Sequence, residues 1–292
     1  MTDAARAFRG FRFPAEVILW AVRWYLEFPV SYRDLEAMLA DRGVEVDQTT
    51  MYRWVQRFAP ELERRTRRQL RPCRGPWHVD ETYVRVGGGW RYPYRAVDGS
   101  GQTIDFMLSA KRDKEAARRF LKRALGRENT RNPRELVTDR LKSYPGAVRD
   151  MKREGELGRF TRHRRGRWLN NLVEQDHRRI KRRTRPMLGF QGFRTARRTL
   201  AGVEAMAMLA KGQVRAVPVN DISAQRAFVH RVFGLAAGSK GSGPEFACSQ
   251  PMQRNPEIPP PPQTLPGSSG STRTVSARDR TLGPWQKPNF AI

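Results

Sequence analysis

The apolar residues of this chain change their spacing once, near Trp77, and no single type of secondary structure satisfies both halves. Before that point they recur every three or four positions, the period of a helix with one buried face. After it they alternate, the period of a strand. The first part reads as three helices. Pro14 opens the first, Val17, Ile18, Ala21, Val22 and Tyr25 share a face, and Pro29 ends it. Ser31 caps the second, with Asp34 three residues on as in a capping box, and Gly43 stops it. Asp47 caps the third, whose Met51, Trp54, Val55 and Phe58 pack at helical spacing and whose other face carries Gln48, Thr49, Thr50, Arg53 and Arg57. Two short helices joined by a Gly-containing turn, the second polar and basic, form the pattern of a helix-turn-helix; a plain three-helix bundle with a solvated face shares it.

Residues 61–74 are a basic connector, helical at first and ending by Pro72, either a solvated linker or a bridge that tracks phosphates. Beyond it, 77–86, 91–97 and 103–109 alternate like strands, with Gly87-Gly88-Gly89 and Asp98-Gly99-Ser100-Gly101 as hairpin turns. A helix is expected over 113–125, a short buried strand over 135–138, and a helix over 141–151 interrupted by Pro145. A fifth strand follows over 158–163, then helices over 172–183 and 195–211. Three meandering strands followed by strands alternating with helices predict an α/β fold, a mixed sheet with flanking helices.

Charge narrows the partner. Lys and Arg number 56 against 29 Asp and Glu, a net charge of +27. So one-sided a field collects polyanions, nucleic acid above all. With 38% hydrophobic residues the chain has enough apolar surface for a core, which excludes a purely disordered basic protein. Cys73 and Cys248 are too far apart for a zinc site or a disulfide framework, so a reducing compartment is expected. The longest apolar run, 17–22, is far below spanning length and no leader opens the chain; neither secretion nor a membrane is expected. Residues 238–292 hold 10 of the 20 prolines among Gly-Ser stretches and are expected to be a disordered tail.

Three carboxylates stand out by position. Asp80 lies inside the first strand, Asp139 closes the 135–138 strand, and Glu174 begins the helix after Asn170-Asn171. Alternation puts Asp80 and Glu81 on opposite faces, so only Asp80 is expected at a shared site. Singly, each has a plain reading as an edge residue, a turn residue or a capping-box partner. Together, adjacent strands bring Asp80 beside Asp139, and the later helix returns Glu174 to the same edge. Converging carboxylates need a cation, and Mg²⁺ takes oxygen ligands while keeping positions open for phosphate. Two such ions about 4 Å apart activate a nucleophile and stabilise the leaving oxygen of a phosphodiester. Glu174, His177, Arg178 and Lys181 share one helix face by spacing. Residues 159–198 carry 14 Lys or Arg against two acids, Glu174 and Asp176, with Trp168, Phe190 and Phe193 interleaved. His78 shares the face of Asp80, either supporting it or packing within the strand.

Trp77-His78-Val79-Asp80-Glu81-Thr82-Tyr83, then Val137-Thr138-Asp139, then Asn170-Asn171-x-x-Glu174-Gln175-Asp176-His177-Arg178 resemble the three blocks of a DDE transposase of the bacterial insertion-sequence group typified by IS6 and IS26. The 34 residues between Asp139 and Glu174 match the interval of that group, and Lys181 stands where its members carry a basic residue; Leu172 stands where one is expected and missing. The resemblance spans about residues 11–237. It implies a helix-turn-helix domain over 1–60, an RNase H-like integrase-type catalytic domain over 75–215 and a C-terminal segment over 216–237. It implies that Asp80, Asp139 and Glu174 are the catalytic metal ligands, for two Mg²⁺ ions that Mn²⁺ can replace. The implied partner is double-stranded DNA, both terminal inverted repeats and target. The implied reaction is 3′-end cleavage and strand transfer with cointegrate formation, by at least a dimer, in the bacterial cytoplasm at the nucleoid. Gln48, Thr49, Thr50, Arg53 and Arg57 would then face base edges, and Arg178, Lys181, Arg182 and Arg183 the phosphate backbone. Two other readings stay open on sequence alone: a catalytically silent, transposase-derived DNA-binding regulator, and an RNase H-fold nuclease without strand transfer.

Overall fold

The computed structural model describes residues 6–139, 141, 143–166, 171–187 and 189–235, all within one compact unit. The expected tail at 238–292, Trp168 and Asn170 lie outside the described residues. The chain opens with α1 (Ala15–Glu27), α2 (Tyr32–Ala40) and α3 (Gln48–Arg67). The capping box at α2 is present, Asp34 N donating to Ser31 Oγ at 3.1 Å and Ser31 N to Asp34 Oδ2 at 2.8 Å. Asp47 caps α3 through Thr50 N at 2.9 Å.

The connector begins as helix, as expected, but that helix is the continuation of α3. α3 does not end near Phe58 but runs on through Pro60 to Arg67, so residues 61–67 are helix and a boundary at 60 would cut it. An interior proline costs roughly 3 kcal/mol. Burial of Val55, Phe58, Ala59, Leu62 and Thr66 on the same helix offsets it. The cations here are tied down: Arg64 and Arg65 pair with Glu61, and Arg67 with Glu63 and Asp105.

The sheet contains β1 (Trp77–Glu81), β2 (Val84–Val86), β3 (Gly89–Asp98), β4 (Thr103–Ser109), β5 (Glu135–Thr138) and β6 (Arg162–Arg165). Its order is β2-β3-β1-β5-β6, with β4 also on β3. β1, β3 and β4 are antiparallel; β5 and β6 run parallel to β1. This is the expected mixed sheet. The expected single strand over 77–86 is broken at Thr82-Tyr83. Glu81 pairs with Tyr94 and Val84 with Arg91, so Thr82 falls opposite Pro93. Thr82 N donates to Pro93 O, but Pro93 has no N–H to return, and the ladder lapses there.

The helices are α4 (Lys114–Leu125), α5 (Ser143–Arg153), α6 (Asn171–Thr184), α7 (Phe193–Ala210) and α8 (Ile222–Val232). Pro145 sits in the first turn of α5, where its missing N–H has no helical partner to lose, and does not interrupt it. The fifth strand begins later than expected, because Thr161 closes a turn on Gly158 and bonds Pro133 O before pairing with β5 starts. α8 was not expected from the pattern; Asp221 caps it through Ala224 N at 2.9 Å.

Two cores result. One lies between the sheet and α4 and α5, with Val79, Tyr94, Phe120, Leu136 and Tyr144. The other joins the N-terminal helices to α7 and α8, through Ile18, Leu35, Trp54, Phe58, Leu200, Met208 and Phe228, and reaches Val84 and Phe106 of the sheet. The N-terminal helices therefore share their core with the C-terminal ones. Gly202 permits that contact: a Cβ there would come within 2.6 Å of Ala59 Cβ and of Leu26 Cδ1. Gly202→Val should force α7 off α3 and lower stability by about 2–3 kcal/mol, read as a fall in denaturation midpoint at unchanged m-value. A neutral result would mean the two helices do not approach this closely.

Candidate active site

The site is built by two neighbouring parallel strands. Val79 of β1 stands opposite Thr138 of β5, so the next residues, Asp80 and Asp139, leave the sheet side by side at its C-terminal edge. This is where open sheets place functional groups. Asp139 Oδ1 accepts from Leu141 N at 2.9 Å, which turns the chain away and fixes the carboxylate.

Glu81 joins them, against expectation. Ligand oxygens of Asp80, Glu81 and Asp139 lie within 4.8 Å of one another. Alternation sets the direction of a Cβ, not the reach of a carboxylate, and β1 ends at Glu81. The Glu81 side chain is drawn in by two donors, Tyr144 Oη at 2.6 Å and Arg112 Nε at 2.6 Å. Burial raises the Asp80 carboxyl to about 7, helped by the charges of Asp139 and Glu174. Burial and the Asp80 charge raise Glu81 to about 7 as well. Three crowded oxygens donors sets of this kind fit a divalent cation, which would relieve the repulsion.

Glu174, in the first turn of α6, is half-buried and close enough to act on Asp80, but its carboxylate is not one of the three that meet. One turn on, His177 is 2% exposed, with Nε2 3.5 Å from Asp80 Oδ2. Burial, then Arg95, pushes its pKa down to about 3, so the imidazole is neutral near pH 7. His177, on α6, thus stands beside Asp80.

What holds α6 there went unread in the sequence. Arg95 of β3 is 2% exposed, and its Nη1 donates to Asp176 Oδ2 at 2.7 Å. Its other arm reaches Glu204 of α7, and Lys211 closes on Asp176. Burial pushes Asp176 up, but Arg95 and Lys211 outweigh it and hold the carboxylate below its ordinary value. The available signal was Asp176 itself, one of two acids in a strongly basic segment.

The expected DNA-facing residues divide. Thr49, Arg53 and Arg57 are exposed on α3, and Gln48, also exposed, donates to Glu36 at 2.7 Å. Thr50 is half-buried and its hydroxyl bonds Asp47 at 2.5 Å, so it serves the cap. Arg178 and Arg182 are exposed on α6, and Lys181 Nζ lies 4.8 Å from the Tyr83 ring centroid. Arg183 is corrected: it is 5% exposed, its Nε donates to Leu26 O at 3.0 Å, and it lies against the Tyr25 ring. Helical rotation turns it inward, where no backbone phosphate reaches.

The crowding predicts a pH signature. A carboxyl whose pKa is raised on folding weakens the fold as pH climbs from about 4 through about 7. Without metal, the stability of Asp80→Asn relative to wild type should therefore grow between pH 4 and pH 8, by about 4 kcal/mol. Millimolar Mg²⁺ should narrow that gap. Melting curves across pH test this, and a pH-independent gap would show that Asp80 is not crowded.

With this geometry in hand, known proteins provide a comparison. The family model described as a DDE domain matches residues 75–213. The transposase for insertion sequence-like element IS431mec of Staphylococcus aureus (strain Mu50 / ATCC 700699) is 37% identical over 217 residues, 74% of this chain and 94% of that protein. The transposase for insertion sequence element IS257 in transposon Tn4003, also of Staphylococcus aureus, matches with the same identity and coverage. Among solved structures, the HTLV-2 integrase catalytic core domain in complex with magnesium (trimeric form) aligns at 14% identity and a TM-score of 0.36, over 50% of this chain and 89% of that one.

Proposed function

Because the chain belongs to the DDE transposases of the IS6 and IS26 insertion-sequence group, we propose that it binds the terminal inverted repeats of its element and joins the element's 3′ ends to target DNA. As a member it is a DNA-cleaving and DNA-transferring enzyme, and a divalent metal suits its acidic edge. The finer reading is ours: Asp80, Asp139 and Glu174 act as catalytic carboxylates, two Mg²⁺ ions serve the reaction, Mn²⁺ replaces them, and at least two copies pair two ends at the nucleoid.

The observation that carries this reading is the meeting of Asp80 and Asp139 at the ends of adjacent parallel strands, with the charge of Glu174 felt at Asp80. When bound at Asp80, Asp139 and Glu174, Mg²⁺ supplies Lewis acidity for the attacking and leaving oxygens. The chain's own groups do the rest. Tyr144 and Arg112 hold Glu81 beside the two aspartates, so their positions are set before DNA arrives. The neutral His177 closes the inner side of Asp80 and keeps water from it. Arg178 and Arg182, exposed on the outer side of α6, hold the backbone on either side of the scissile phosphate. Hydrolysis of one P–O bond frees a 3′-hydroxyl and leaves the phosphate on the 5′ side. That hydroxyl then attacks a target phosphodiester, so one P–O bond forms as another breaks.

Asp139→Asn and Glu174→Gln should each cut strand transfer by several orders of magnitude while binding of end DNA without metal persists, since binding relies on cations elsewhere. Glu81→Gln belongs with them rather than among neutral controls, because its carboxylate is part of the cluster. Mn²⁺ should support the reaction, and Ca²⁺ binding with little cleavage. Strand transfer and end binding are measured side by side for each variant; undiminished transfer by Glu174→Gln would remove it from the catalytic set.

A further inference from the structure

α3 and α7 pack as a parallel pair. Gln56 Nε2 donates to Thr199 Oγ1 at 2.9 Å in a buried contact. Three residues further along both helices, Ala59 lies against Gly202. Contacts that advance together on both helices mean that the two point the same way. Each residue rotates about 100° around its helix, which sorts the remaining positions. On α3, Met51, Val55, Phe58 and Leu62 fall on one flank of the contact line and are buried, whereas Arg53 and Arg57 fall on the other and are exposed. On α7, Ala196, Leu200 and Val203 fall on one flank and are buried, whereas Arg194 and Arg198 fall on the other and are exposed. For a parallel pair, facing helices bring opposite-handed flanks to the same side. The buried flanks therefore meet in one core, as observed, and the four arginines share the solvent side. Arg197, at the back of α7, is not among them.

We propose that α7 is the second half of the DNA-binding surface, Arg194 and Arg198 holding the phosphate backbone that borders the groove entered by α3. This rests on the reading of α3 as the groove helix. The spacing supports it: packed helix axes lie about 8–10 Å apart. A helix centred in a major groove about 12 Å wide has its walls about 6 Å away, so its neighbour lies over the flanking phosphates. Charge agrees. Among the described residues none of Arg53, Arg57, Arg194 and Arg198 has an acidic partner, unlike the arginines of the second half of α3, which are paired with Glu61, Glu63 and Asp105. The one acid on α7, Glu204, is fully buried on Arg95. An unopposed cationic face on a helix pair is complementary to a duplex backbone and to no apolar partner. The binding module is then formed by segments 140 residues apart in sequence, which explains why the N-terminal helices share their core with α7.

The test uses the full chain without metal, titrated by fluorescence anisotropy onto a duplex carrying the terminal repeat and onto a scrambled duplex, at several salt concentrations. Arg194→Gln/Arg198→Gln, which keeps good helix formers at exposed positions, should weaken both duplexes several-fold. It should lower the salt slope by about 2 and leave the preference for the end intact. Arg194→Lys/Arg198→Lys should recover most of the slope, because a phosphate contact needs the charge. Removing the same charge in the loop before β5, by Arg131→Gln/Arg134→Gln, should change little. Arg53→Ala should instead lose the end preference. If the α7 double variant binds with the wild-type slope while Arg53→Ala loses preference, α7 is not part of the surface and the reading of α3 stands. If Arg53→Ala also keeps its preference, the placement of α3 itself fails.

Discussion

The Arg95 guanidinium, buried among the sheet, α6 and α7, is the constraint on which the geometry of the site depends. In the antiparallel register Asp80 stands directly opposite Arg95. α6 then contacts both positions with consecutive residues, Asp176 on Arg95 and His177 on Asp80. Two adjacent grips on two cross-strand neighbours leave the helix little freedom to slide or turn. Glu174, one turn before His177, is carried to the carboxylate edge by that clamp. Glu204 and Lys211 bring the buried charges to balance, two cations against two carboxylates. Such a cluster contributes little net stability compared with an apolar core of the same volume, but removing one partner strands a buried charge at a cost of about 3–5 kcal/mol. What the cluster fixes is position.

A second hub joins the N-terminal helices to the sheet that carries the carboxylates. Asp105 of β4 is fully buried and receives Arg67 of α3 at 2.8 Å, Arg123 of α4 at 2.9 Å and Arg127 at 2.9 Å. Arg67 is the last residue of the helix that begins with Gln48, Thr49 and Arg53. One continuous helix thus runs from Gln48 to the edge of the sheet, and the shared apolar core packs both sides of Pro60.

Local chemistry was legible in the sequence and non-local chemistry was not. Capping by Ser31 and Asp47 was readable because the side chain and the amide it bonds lie three residues apart. Strands β4 and β5 were placed to the residue because turn signals or polar segments bound each on both sides. The pairing of Asp80 with Asp139 followed from strand order. The break at Thr82 did not, because its cause, Pro93, lies on another strand. Glu81 was set on the wrong side because its position depends on Tyr144 and Arg112, 63 and 31 residues away. The continuation of α3 through Pro60 depends on burial against α7, which local propensity does not contain.

Net charge named a polyanion as the partner but could not say which cations meet it. α6 places five cations within six positions, Arg178 to Arg183, and helical rotation sends them in different directions. Arg178, Arg179 and Arg182 are exposed, Lys181 lies over Tyr83, and Arg183 turns inward to Leu26. The same helix buries Val173, Asp176, His177, Ile180 and Arg183, with Glu174 half-buried, and burial keeps that imidazole uncharged. Arg112 reaches Glu81, yet among the described residues no Lys or Arg pairs with Asp80 or Asp139. Had one of the outer arginines faced inward, it would have neutralised these carboxylates and taken the place of a metal ion. The exposed cations of the helix therefore attract a polyanion while the aspartates remain open to a divalent cation.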